Sequence, residues 1–190
     1  MRLIASLFAV ALLIGCSAPA PMIDYDSSYD FSKDRTFAFL SDHPLIRGDG
    51  ATGGSSMIEG RLMQITENIL AARGLTRISD PEKADLAVGF TLGAREKIKV
   101  NSYPQSYHGG YSHWGYGGRG HYGGDHYGAS TVNVRQYTEG TLAVDIYDTT
   151  EHKPVWHGRA TRKITKKMQE NPGETLREIL GGIFATFPPA

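Results

Sequence analysis

The sequence predicts an α+β fold: an antiparallel sheet of about four to six strands, two helices packed on one face, and a long Gly/His/Tyr-rich hairpin insert. Three observations predict it. Segments 57–73 and 171–187 repeat apolar residues at spacings of three and four and carry helix-start signals. Segments 86–100, 131–147 and 155–160 alternate apolar with small or polar residues, the period of a half-buried strand. Short turn-forming stretches join neighbouring strands, which is how antiparallel pairs connect. A helix with one apolar stripe needs an apolar surface, and a sheet face supplies it.

Ahead of the fold, Arg2 is followed by an apolar run from Leu3 to Ile14, then Gly15 and Cys16, the chain's one cysteine. The run is too short for a helix crossing a ~30 Å hydrocarbon core, which takes about 20 residues. Its charge, length and small-residue end match a targeting segment. Leu13-Ile14-Gly15-Cys16 has the form of a bacterial lipobox. On that reading residues 1–15 are a signal peptide, Cys16 is the lipid attachment site for acyl chains such as palmitate, and 16–22 is a tether. An ordinary signal peptide with a chance cysteine is the alternative, and the specific tetrapeptide argues against it. Ser17, Pro19 and Pro21 oppose an uncleaved anchor helix, since proline breaks helices. By analogy with bacterial lipoproteins, Ser17 in place of Asp points to the periplasmic face of the outer membrane.

Removing Arg2 with the signal leaves 19 basic and 20 acidic residues, against 20 of each in the full chain. That balance argues against nucleic acid or anionic lipid as a partner, since both need a basic field. A lone cysteine allows no intrachain disulfide. The remaining length suits one α+β domain, residues 23–189, with a core of its own.

The folded part is expected to begin at Ile23 or Asp24. Asp24, Asp26 and Asp30 lack the glycine and distal glutamate of a calcium loop, so they read as turn or strand-edge carboxylates. Arg35 to Leu40, with alternating Phe37 and Phe39, reads as a strand, and 41–55 as a loop. Ser56 and Glu59 fit a capping box opening a helix at 57–73, striped by Ile58, Leu62, Ile65 and Ile69 and stopped at Gly74. Leu75–Ile78 reads as a short strand and Asp80–Lys83 as a turn. The strand from Leu86 continues through Ile98 and Val100. In 131–147, Gly140 reads as a bulge. Asp145 and Asp148 read as turn residues, and His157 as a packed or surface histidine without a nameable partner. Five basic residues between Arg159 and Lys167 read as a solvated strand face. The last helix takes Asn171 as N-cap, Pro172 as first residue and Glu174 three beyond the cap. Leu176, Leu180, Ile183 and Phe187 form its stripe, and Pro188-Pro189 stops it.

The insert, 102–130, differs from its surroundings. Between Tyr103 and Gly128 lie nine glycines, six tyrosines and four of the seven histidines, with no aliphatic residue. It cannot contribute a conventional core. His108, His113, His121 and His126 are candidate ligands for Zn²⁺, Cu²⁺ or Ni²⁺. Their spacings of five, eight and five match no closed zinc motif, and glycine-rich chain costs entropy to order. Alternatively the histidines sense pH, titrating near 6.5, or the segment is a loose loop whose aromatics adhere to surfaces. Tyr107, Tyr111, Trp114, Tyr116 and Tyr122 are the candidate partner contacts, because aromatics are enriched at binding hot spots.

Catalytic patterns are missing: there is no phosphate-binding glycine loop, no G-x-S-x-G and no H-E-x-x-H. The expectation is no enzyme, no catalytic residue and no cofactor beyond the lipid. A hydrolase acting on an envelope substrate lacks a nucleophile or paired acids.

Several motifs together resemble a known family. They are Asp24-Tyr25-Asp26 with Asp30-Phe31-Ser32, Thr36-Phe37-Ala38-Phe39-Leu40, and Leu70-Ala71-Ala72-Arg73-Gly74-Leu75 with Ala84-Asp85-Leu86. Tyr137-Thr138-Glu139-Gly140-Thr141-Leu142, Pro154-Val155-Trp156-His157-Gly158 and Phe187-Pro188-Pro189 complete the set. Over roughly residues 23–189 the chain resembles the bacterial lipoproteins called domain of unknown function 4136. The resemblance implies an envelope lipoprotein of unassigned activity and supplies no catalytic residues. The expected role is a non-enzymatic, lipid-anchored module that binds the membrane through its lipid and an envelope protein or cell-wall component through its surface. A metal- or pH-responsive protein acting through the insert is the alternative.

Overall fold

A computed structural model describes residues 19–48, 57–102 and 132–189. In chain order the elements are β1 (Met22–Tyr25), β2 (Thr36–Phe39), β3 (Leu45–Arg47), α1 (Met57–Ala71), β4 (Thr76–Arg77), β5 (Leu86–Ser102), β6 (Val132–Asp148), β7 (Lys153–Lys163), α2 (Lys166–Glu170) and α3 (Pro172–Ile183). Short 3₁₀ turns lie at Phe31–Lys33, Pro81–Lys83 and Phe184–Thr186. Contacts divide the chain into one compact unit within 1–95 and 138–190 and another at 96–137. The latter holds the outer parts of β5 and β6. Everything that follows concerns the former.

The fold class is α+β, but the sheet is mixed and has seven strands in the order β1-β7-β6-β5-β2-β4, with β3 also on β5. The β1/β7 and β6/β7 pairs are antiparallel. The β2/β4, β2/β5 and β3/β5 pairs are parallel, against the all-antiparallel expectation. The reason is the crossover: β2 reaches β5 only by way of α1, and a helical crossover returns the chain in the same direction. The stretch 41–55 was expected to be all loop and instead holds β3, only three residues long, between Pro44 and Gly48. Such a short strand carries no readable alternation.

One parity of the strands builds the core. Phe37, Phe39, Leu86, Val88, Phe90, Leu142, Val144, Ile146 and Trp156 are buried with Leu62, Ile65 and Leu70 of α1 and Leu176, Leu180 and Ile183 of α3. Because α1 packs against α3 as well as the sheet, its buried face is wider than the expected stripe. Thr66 and Leu70 are fully covered, whereas Ile58 and Ile69 are only partly so. Trp156 stacks on Phe184 with centroids 5.4 Å apart and meets Phe187 edge-on at 5.3 Å. Gly158, on the same face, lets the indole and Ile183 close over the strand, since a Cβ there would lie 2.4 Å from the ring.

Helix ends follow local chemistry. Gly74 has φ +88°, and the N–H groups of Gly74 and Leu75 donate to Ala71 O (3.0 Å) and Leu70 O (3.2 Å). This is the reciprocal pair of a Schellman stop. Arg73 extends it: Nη1 donates to Ile69 O (3.0 Å), Nη2 to Phe184 O (2.7 Å) and Nε to Phe187 O (2.6 Å). Ser56 lies outside the described residues, and the Glu59 carboxylate accepts from Leu45 N–H at 3.1 Å, tying α1 to β3. At the start of α3, Asn171 makes no side-chain cap bond. Its N–H instead donates to Lys167 O (3.0 Å), closing the unforeseen α2, whose N-cap is Thr165.

Candidate functional site

A cleft of about 480 Å³ opens between the helices and residues 92–94 of β5, 138–142 of β6 and the closing residues of β7. Its floor is the core face of those strands, and α1, α2 and the first turns of α3 form its walls. Ile58, Leu92, Leu142, Ile164, Leu176 and Ile179 supply most of the apolar lining. Among the described residues the charged side chains lining it are Arg61 and Arg162, with no carboxylate.

The pairing of β6 with β7 places Arg162. It sits opposite Gly140, two steps along β7 from Ala160 on the helix-facing side. The glycine lets the Ile164 side chain pack on the strand, since a Cβ there would lie 3.2 Å from its Cδ1. Arg162 Nη1 donates to Glu178 Oε1 of α3 at 2.7 Å, and its side chain is 19% exposed. Its Nε is buried and has no hydrogen-bond partner among the described residues. The run Arg159–Lys167 is therefore not one solvated strand face. It ends as strand at Lys163, turns into α2, and sends Arg162 inward. Against β7, the register passes through Gly140 without a break, so the expected bulge is not there.

The irregularity falls at Ile146/Tyr147 instead, where β7 carries one extra residue, Val155. The slip sets Asp145 opposite His157. Asp145 is thus a strand residue, not a turn residue, and His157 has a partner: Nδ1 lies 2.6 Å from Asp145 Oδ1. Asp24 of β1 faces His157 from the other side. The pair lies on the sheet face away from the helices, with Ala143 and Thr141. Asp148 does serve a turn, accepting from the N–H groups of Thr150 (3.2 Å) and Glu151 (2.9 Å).

At the opposite ends of the strands, Tyr29 Oη donates to Asp34 Oδ1 at 3.1 Å beside Asp85 and Asp148. Burial, with Asp85 and Asp148 adding to it, pushes the Asp34 carboxyl up to about 6. Burial and the neighbouring Asp34 also raise the Tyr29 phenol. Asp85 is held below the usual carboxylate range by the Arg35 N–H at 2.9 Å, with Thr36 N–H and Oγ1 each at 2.8 Å also donating. These groups pin the N-terminal loop to the start of β5. Asp26 and Asp30 act as the turn carboxylates expected, each accepting from a serine two residues on.

Cys16, His108, His113, His121, His126, Tyr107, Tyr111, Trp114, Tyr116 and Tyr122 all lie outside the described residues. Among the described residues no group of three or more His, Cys, Asp or Glu is arranged to hold a metal ion. Among them too, no helix is long and apolar enough to cross a membrane. What sequence reasoning missed is the cleft and its cation. The strand parity of Arg162, two and four residues beyond Ala160 and Gly158, was the available signal.

The family model DUF4136, described as a domain of unknown function, matches residues 21–189. None of the curated proteins matches the chain in sequence. Among solved structures, a DUF4136 family protein from Bacteroides thetaiotaomicron is similar at TM-score 0.51 and 15% identity, over 87% of this chain and 94% of that one. At that identity the likeness shows the fold alone. A PDZ domain protein from Parabacteroides distasonis gives TM-score 0.48 and 16% identity over 90% of this chain, which spans only 36% of that protein. A PelC dodecamer from Paraburkholderia phytofirmans gives 0.46 and 10%, over 88% of this chain and 97% of that one.

Proposed function

The chain belongs to the DUF4136 family, whose description names no activity, and from its own residues we propose that it is a lipid-anchored envelope protein that works by binding. The observation that carries this reading is the order of the N-terminal residues. Leu13-Ile14-Gly15-Cys16 ends an apolar run, a proline-containing stretch follows, and β1 begins close behind at Met22. A folded unit hung this near to an acylated cysteine sits against the membrane surface. Several acyl chains hold it there, each buried CH₂ adding about 0.8 kcal/mol. The site is the periplasmic face of the outer membrane, and the partner is an envelope protein or a cell-wall component, met by the insert's Tyr107, Tyr111, Trp114, Tyr116 and Tyr122. The balance of 20 basic and 20 acidic residues supports a partner other than nucleic acid.

The test is mass spectrometry of the N-terminal peptide from membranes of cells making the full chain. A diacylglyceryl-modified Cys16 as first residue, and its loss in Cys16→Ala with release of the protein from the membrane, is the expected result. A mature N-terminus elsewhere, or an unacylated Cys16, overturns it. The rival role, metal or proton response through His108, His113, His121 and His126, is read by titrating the protein with Zn²⁺ beside a chain lacking 102–130. Tight stoichiometric binding that vanishes with the insert would put metal handling ahead of partner binding.

A further inference from the structure

We infer that the cleft between the helices and the middle of β5 and β6 binds a single-chain amphiphile with an anionic head. The inference goes beyond lipid anchoring and does not depend on it. The volume, about 480 Å³, falls within the ~300–1,000 Å³ of small-molecule sites, which combine apolar walls with a few placed polar groups. Ile58, Leu92, Leu142, Leu176 and Ile179 make a surface suited to an aliphatic chain. Lining of this kind, left wet, forgoes roughly 25 cal/mol per Å² of apolar area that a ligand's chain would cover.

Charge selects the head. Among the described residues the charged lining is two arginines with no carboxylate. Arg162 spends Nη1 on Glu178, yet its buried Nε has no partner among the described residues. The Arg162 side chain lines the cleft and is 19% exposed, so its guanidinium offers an arriving anionic oxygen a charged donor beside the one bonded to Glu178. Arg61, on the α1 wall, has no ion pair among the described residues and adds a second positive charge. The shared chemistry is an acyl or alkyl chain ending in carboxylate or phosphate. The other polar depression of the sheet, around Arg95 and Arg159 on the opposite face, lacks this character: Arg95 lies 3.6 Å from Glu139 and the Thr141 and Thr161 hydroxyls are bonded to each other at 2.9 Å.

The experiment uses the full chain in digitonin, whose steroid body does not mimic an acyl chain, with cis-parinaric acid as fluorescent probe. Oleate, dodecyl phosphate and neutral dodecanol compete in separate arms. Saturable binding is expected, with oleate or dodecyl phosphate displacing the probe at concentrations about tenfold lower than dodecanol; whichever anion is stronger identifies the head. Arg162→Gln should weaken the probe about tenfold and Arg61→Gln less, about threefold. Ala94→Phe fills the cleft from β5, leaves both arginines in place, and should abolish binding while the thermal melt is unchanged. Binding that is not saturable, that dodecanol matches, or that Ala94→Phe and Arg162→Gln leave intact in a folded protein overturns the assignment.

Discussion

Replacing Gly158 by alanine inserts one methyl group between two rigid neighbours. An ideal Cβ at this position lies 2.4 Å from Trp156 Cη2, 2.9 Å from its Cζ3 and 2.6 Å from Ile183 Cγ2. Carbon atoms rest at about 3.5–4.0 Å, so the overlap is about 1 Å on both sides. Neither neighbour can yield freely. Trp156 is 1% exposed and stacked on Phe184, and Ile183 is fully buried in α3. Overpacking of this kind costs typically ~1–3 kcal/mol, and the closed surroundings place Gly158→Ala near the upper end, at about 3 kcal/mol. The same substitution at Gly181, exposed in the last turn of α3 with nothing within 4 Å of its Cβ position, should have the opposite sign. Removing a helix glycine there gains about 0.5–1 kcal/mol. Urea unfolding of the two variants, followed by circular dichroism, should separate them by about 4 kcal/mol. A Gly158→Ala protein within about 0.5 kcal/mol of the parent would refute the reasoning, because Trp156 could not then be seated as described.

Arg73→Ala strips a cationic donor from three carbonyls at 2.6, 2.7 and 3.0 Å. It should cost about 2–3 kcal/mol in the same urea assay, with Arg73→Lys recovering less than half, since one ammonium cannot fork to all three. For Asp34, the folded carboxyl titrates at about 6, above the ordinary carboxylate value near ~4. The folded state therefore holds a proton that the unfolded state has already lost, and stability falls as pH rises between ~4 and 6. After solvent screening of a half-buried group the fall is about 1 kcal/mol, and Asp34→Asn should flatten it when melting is followed against pH. Asp85, held below the usual range, acts in the other direction: its contribution is lost only as pH drops below ~4.

Helices α1 and α3 were legible because their apolar spacing is long enough to repeat, and Gly74 marked the stop of α1 by a backbone conformation that side chains resist. The cores of β5, β6 and β7 were legible through clean alternation at Leu86–Val88–Phe90 and Leu142–Val144–Ile146. Strand direction was not. It depends on whether a connection is a turn or a crossover, and β2 joins β5 from before α1. The Asp145–His157 pair was hidden by a single residue. With an unbroken hairpin register Asp145 would face Trp156, and only the extra Val155 in β7 moves it opposite the histidine. Arg162 looked solvated because runs of basic residues usually are. Its inward aim came from parity with Trp156 and Ala160, information that composition does not hold.

The pairing of β1 with β7 sets an order of assembly. In chain order Met22–Tyr25 precedes the other described strands, yet the strand it bonds to, Lys153–Lys163, follows all of them. The same delay governs Trp156, which waits for Phe184 and Phe187, and the Arg73 fork, two of whose three acceptors are those residues' carbonyls. Until β7 is in place the leading strand has an open edge, a state prone to pairing with the wrong strand.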